Sequence, residues 1–282
     1  MQIHLFDSPP IDSPVEGTKI QIAIGFDENL IDMGTFATRP VSLKGPPSIA
    51  TIEAGVLDCF PSIRVPKKKS WKPTTLSNVI KEIARNHGLR TSIDASCESI
   101  PFPHEDQTES DAAFLARIAE HYECVFKIQG DCLIFYDRDS KITPIGTPIK
   151  AQRIENIIDY DFKYCEEPVY TGVKASWWDK KTAKEKSFIA GVEGKIHAIK
   201  FLMKDEQSAK TAALSKFKKL KRLTSLLSFT IPGNPLLFAG GRCLIETLHP
   251  LINGEWIIKS LEHVIDSNGF LTKVSTEGKA FA

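Results

Sequence analysis

Apolar and polar positions alternate from Lys19 to Ile24, the period of a half-buried strand. Phe36 to Leu43 and Ile49 to Val56 read as further strands, with turns expected at Asn29 to Gly34 and at Lys44-Gly45-Pro46-Pro47. After residue 70 the period lengthens. Leu76, Val79, Ile80, Ile83 and Ala84 form a helical stripe behind Pro73-Thr74-Thr75, and Gly88 is placed to end it. Phe114, Leu115, Ile118, Ala119 and Tyr122 form a second stripe. Ser110 is its expected N-cap, and Asp111 sets negative charge at the positive end of the helix dipole.

A hairpin follows, with Gly130-Asp131 as its two-residue turn. Alternation then places Cys124, Phe126, Ile128, Leu133 and Phe135 on one face and Cys132 on the other. Strand signals return from about 150. They run from Val169 to Trp178, from Phe188-Ile189 and over Phe229 to Ile231, before a closing hairpin of Gly254 to Ile265 and Phe270 to Glu277. A helix over 205–224 interrupts them, lined on one side by Ala209, Ala213, Phe217 and Leu220.

These shifts divide the chain into three expected domains. Residues 1–65 form a partial β-barrel domain, and residues 66–148 a small α/β domain of two helices and a hairpin, opened by a solvated linker at Pro66 to Ser70. Residues 149–282 form a second barrel-like β domain with the helical insertion 205–224.

Composition narrows the function without naming it. The 36 basic and 35 acidic residues nearly cancel, so net charge argues for neither a nucleic-acid nor an anionic-membrane partner. No apolar run approaches the roughly 20 residues that span a bilayer, and the first residues lack a secretory signal, which makes a cytosolic origin the expectation. The six cysteines have no metal-ligand spacing and are expected to be reduced, buried small hydrophobes.

Candidate chemistry is sparse. Lys210, Lys216, Lys218, Lys219, Lys221 and Arg222 make a basic helix that could meet an acidic partner or phosphates. The simpler reading is a solvated face, since aromatic residues for stacking on bases are nearly absent. Glu105, Asp106, Glu109 and Asp111 could act as paired carboxylates, but their place at a helix start explains them through capping. Trp177, Trp178 and Trp256 read as core or subunit anchors before sugar platforms. No catalytic, cofactor-binding or metal-binding residues are assigned. Lys216, Lys218, Lys219, Arg222, Trp177 and Trp178 are the candidates for binding a partner.

Four segments together resemble the phage late control protein D family, the baseplate hub proteins of contractile tails. They are Ile31 to Phe36 before Lys44-Gly45-Pro46-Pro47; Ser70-Trp71 leading into Thr75-Leu76 and the sequence from Ile83 to Leu89; Gln107 to Leu115; and Glu255-Trp256-Ile257 through His263 to Phe270. The resemblance implies a mainly β fold with α+β parts, two barrel-like β domains joined by a small α/β domain, similar to the base of type VI secretion spikes. It also implies a non-enzymatic homotrimeric ring in the virion baseplate, assembled in the host cytoplasm. That ring joins tail tube to central spike, contacts other baseplate proteins and passes DNA as cargo. Family members usually begin with several more strands, so an incomplete first barrel is expected here. A peptidoglycan-binding or hydrolysing tail protein and a DNA-binding late regulator are the competing classes.

Overall fold

The computed structural model describes residues 1–6, 12, 14–140, 149–164, 170–179, 182–199, 202–203, 205–222, 225–267 and 269–279. It is mainly β, and the chain falls into two compact units: residues 1–117 with 126–136, and residues 118–125 with 137–282.

In the first unit the alternating segments pair as an antiparallel sheet in the order Gln2–Phe6, Ile49–Gly55, Asn29–Thr38, Lys19–Phe26, with Ser42–Lys44 also on Ile49–Gly55. The turn expected at Asn29 to Gly34 is instead strand. The chain reverses at Asp27-Glu28, where Asp27 takes φ 49°, a left-handed conformation that Asp tolerates through local hydrogen bonding. Gly34, at φ 103°, marks a bulge where the register shifts between Ile22 and Ala23. Among the described residues no sheet closes on itself into a barrel.

Helix α1, Leu76–Asn86, begins at Thr75, whose hydroxyl accepts from the Asn78 amide, and gives way to Gly88 at φ 66°. Its stripe of Leu76, Val79, Ile80, Ile83 and Ala84 is wholly buried. A short helix α2, Ala95–Glu98, is capped by Asp94. Helix α3, Asp111–His121, is capped as expected, with the Ala113 amide donating to Ser110 Oγ at 3.3 Å. Phe114 of α3 is buried, stacked on Trp71 and edge-on to Phe102. Cys124–Gln129 and Cys132–Asp137 flank the Gly130-Asp131 turn, and residues 132–135 add in parallel to Arg90–Ile93. Cys124 is buried and Cys132 half-buried, and both are free thiols, as are Cys59, Cys97 and Cys243; Cys165 lies outside the described residues.

The expected linker is not a linker. Lys69–Trp71 is a strand paired with Glu105–Gln107, and Pro66 bridges to Ser110. The cause is a buried carboxylate. Asp111, 2% exposed, accepts from Lys67 Nζ at 2.5 Å, from His87 Nε2 at 2.8 Å and from Gln107 Nε2 at 2.8 Å. Trp71 Nε1 donates to Gln107 Oε1 at 3.0 Å, and Lys69 Nζ lies 3.6 Å from the centre of the Trp71 ring. A run of lysines reads as solvated in sequence, but here two of the three serve buried or stacked partners.

In the second unit six strands run in the order Gln152–Arg153, Arg242–Ile245, Gly254–Asp266, Gly269–Lys279, Ser225–Pro232, Asp159–Tyr164. Their core centres on fully buried Trp256, whose indole donates to Ile252 O at 2.7 Å, with Phe229, Ile231 and Val274 around it. A separate three-stranded sheet, Lys184–Gly191, Gly172–Asp179, Ile196–Ala198, packs on helix α4, Glu206–Arg222. The 205–224 insertion is therefore helical to Arg222, and residues 223–224 lie outside the described ones. Of the stretch 139–148, where the composition marks a domain boundary, residues 141–148 lie outside them as well.

Two outcomes test these contacts. Burial pushes the Asp111 carboxyl up, but the hydrogen bonds from Gln107, Lys67 and His87 outweigh it and leave it below the usual carboxylate range. A depressed carboxylate contributes its stability above the unfolded value of about 3.9 and loses it as pH falls through the folded one. Asp111→Asn should therefore cost roughly 3–5 kcal/mol in urea unfolding at neutral pH, and the gap from the parent chain should narrow below about pH 4. A Cβ on Gly233 would lie 2.1 Å from the Phe270 ring, so Gly233→Ala should cost about 1–3 kcal/mol by the same measurement.

Candidate partner-binding surface

Helix α4 places its cations by its small residues. Ala209 and Ala213 are fully buried against the three-stranded sheet, so the helix backbone sits close and the lysines are carried to its flanks. Lys210 pairs with Glu206 one turn earlier at 2.7 Å. Lys218 Nζ lies 3.3 Å from Asp137 Oδ2 and 3.7 Å from Asp139 Oδ2. Lys219 Nζ lies 2.6 Å from Glu120 Oε1. Hydrogen bonding to Lys219 and the charges of Lys219, Arg138 and Lys216 hold the Glu120 carboxyl below its usual range. Burial pushes the Asp139 carboxyl up. The basic face is thus partly engaged with acidic residues of its own chain, which lowers its value as a phosphate track.

The structure brings Lys216 and Lys219 together and separates the other candidates. Both line a groove of about 410 Å³, with Glu120, His121 and Glu123 on one bank and His197, Ala198, Ile199 and Met203 on the other. Lys218 points to the Asp137–Asp139 segment instead. The side chain of Arg222 lies outside the described residues. Trp177 is 8% exposed, in the core under α4, while Trp178 is 51% exposed on the opposite face of its strand, across from Glu185. Glu120, His121 and Glu123 escaped sequence reading because they come from a segment roughly eighty to a hundred residues before α4, and His197, although it lies just before the helix, has no spacing signal that links it to them.

One cluster has the composition of a hydrolytic relay. Ser62 Oγ lies 2.8 Å from His87 Nδ1, and His87 Nε2 lies 2.8 Å from Asp111 Oδ2. With Nε2 donating to the carboxylate, Nδ1 accepts from the Ser62 hydroxyl. In a working triad the carboxylate's charge is reserved for the imidazolium that forms. Here Lys67 shares the same carboxylate oxygen and Gln107 holds the other, so that charge is already compensated. The chain of contacts binds the 3-10 turn Pro61–Arg64 and the end of α1 to the start of α3.

Elsewhere, burial pushes the Cys243 thiol up to about 12, which keeps it protonated and unreactive. Among the described residues no group of three or more His, Cys, Asp or Glu is placed to hold a metal ion. No described helix is long and apolar enough to cross a membrane.

Comparison with known proteins follows the same outline. The chain is 25% identical to the probable baseplate hub protein of Escherichia phage 186, over 99% of its own length and 84% of that protein's. It is 26% identical to the probable baseplate hub protein of Escherichia phage P2, over 98% and 84%. The fold is similar to the 43 kDa tail protein of prophage MuSo2 from Shewanella oneidensis, with a TM-score of 0.69 at 13% identity over 98% of this chain and 88% of that one. It is also similar to a tail protein from Neisseria meningitidis MC58, with a TM-score of 0.63 at 11% identity over 87% and 80%. The phage tail baseplate hub (GPD) description matches residues 64–269, most of the chain, and the protein belongs to that family.

Proposed function

We propose that the chain is a structural hub of a contractile phage tail baseplate. Three copies form a ring that connects the tail tube to the central spike, contacts other baseplate proteins and lets DNA pass. The ring is assembled in the host cytoplasm and ends in the virion. Within each copy, residues 1–65, 66–148 and 149–282 act as successive domains, the outer two barrel-like and the middle one a small α/β domain. The observation that carries this reading is the family match over residues 64–269, joined to hub relatives that align with nearly the whole chain.

The geometry supports a role in shape over one in catalysis. The Ser-His-Asp contact chain is compensated by Lys67, and the carboxylate cluster at the start of α3 is taken up in pairing. Arg117 pairs with Glu105 and, at 2.8 Å, with Glu109, so of these acids Asp106 alone stands mainly in solvent. Sheets with unpaired edges are a hazard in an isolated chain and an asset in an assembly, where neighbouring copies cover them.

The oligomer tests the reading. Multi-angle light scattering of the full chain should give the mass of a trimer. The buried interface should be at least about 2,000 Å² per contact, as in obligate assemblies. A stable monomer at high micromolar concentration counts against it. In the phage or prophage that encodes the chain, deleting its gene should leave tails that lack the spike, and supplying it in trans should restore them.

A further inference from the structure

We infer that the groove beside α4 is a docking site for an acidic segment of a partner protein, anchored by one large apolar side chain. The inference names a partner chemistry for the hub proposed above and rests on that reading only for the setting in which the partner is met.

Two properties of the groove point to this occupant. Its floor is apolar, from Ala198, Ile199, Met203 and Ala212, and its volume of about 410 Å³ falls in the usual range for ligand sites, about 300–1,000 Å³. Its α4 bank is basic. From Lys210 to Arg222 the helix carries six cations and no acidic residue. Lys210 and Lys218 are engaged away from the groove. Among the described residues no carboxylate oxygen lies within ion-pair distance of Lys216.

Glu120 shows that this bank accepts a carboxylate. It sits on Lys219 although its side chain is 71% exposed, in the manner of a ligand at the rim. Glu123, the groove's other carboxylate, is buried, only 6% exposed. A partner carboxylate can therefore pair with Lys216, or replace Glu120 on Lys219, while an apolar neighbour fills the floor and excludes water from those pairs. A nucleic-acid strand would use the cations but not the floor, and among the described residues that line the groove there is no Phe, Tyr or Trp for a base to stack on.

Fluorescence anisotropy of the full chain tests this with three labelled probes: the peptide Glu-Asp-Leu-Phe-Asp-Glu, its charge-reversed form Lys-Lys-Leu-Phe-Lys-Lys, and a twelve-nucleotide single-stranded DNA. The acidic peptide should bind saturably and weaken at least about tenfold with Lys216→Glu and with Ala212→Phe, which fills the floor. Lys210→Glu, a pair on α4 outside the groove, should change it by less than about twofold. Melting curves accompany each variant, and Lys216→Glu at the rim carries the test if Ala212→Phe fails to fold. The inference is overturned if the acidic peptide does not saturate by about 1 mM, if the basic peptide or the DNA binds as well, or if Lys216→Glu has no effect. Binding is read on the chain alone. A negative result leaves the hub proposal standing, whereas a monomer by light scattering would remove that proposal and not this groove.

Discussion

The first unit is organised around one buried negative charge. A carboxylate taken out of water is untenable unless hydrogen bonds and an opposite charge replace its hydration. Asp111 meets that demand with donors from three places: Lys67 from the segment before a strand, His87 from the end of α1, and Gln107 from the strand beside it. Gln107 passes the constraint on to Trp71, and Trp71 stacks on Phe114 of the helix that Asp111 itself begins. Position the carboxylate and the register of Lys69–Trp71 on Glu105–Gln107 follows, as does the burial of the α3 face.

The second unit uses the same physics with the signs reversed. Arg242, only 4% exposed, donates to Glu255 at 2.6 Å and to the backbone oxygen of Asp139 at 2.8 Å. Arg138 reaches Glu277 at 2.7 Å, and Lys218 holds Asp137 and Asp139 from α4. Residues 137–139 are thereby tied both to the six-stranded sheet and to the helix on the smaller sheet. The near-neutral composition has a structural meaning here: many of the chain's charges answer one another, some in places no solvent screens.

Much of the fold was legible from local pattern. The stripes of α1 and α3, the Ser110 cap, the Gly88 stop and the Gly130-Asp131 turn are each fixed within a few residues, so sequence spacing suffices. The misreadings have one cause. Gly34 suggested a turn and supplies a bulge, and Lys67 to Lys69 suggested a linker and hold a carboxylate, a tryptophan and Glu82. In each case a residue type with several uses was assigned its commonest one, and a partner distant in sequence selected another. The candidate binding residues divided likewise: Lys216 and Lys219 share a groove, while Trp177 and Trp178 alternate to opposite faces of one strand.

By itself the sequence determined most of the elements, their order and, through four short segments, a likeness to tail baseplate hubs, because periodicity, caps and turns are short-range properties. Only the tertiary structure decided which charges are buried, which lysines remain at a surface and where an apolar floor lies beside them. Most of those outcomes depend on contacts between residues far apart in the chain, from 24 positions for His87 and Asp111 to 139 for Arg138 and Glu277, and no local pattern encodes which distant partner will replace a charged group's water.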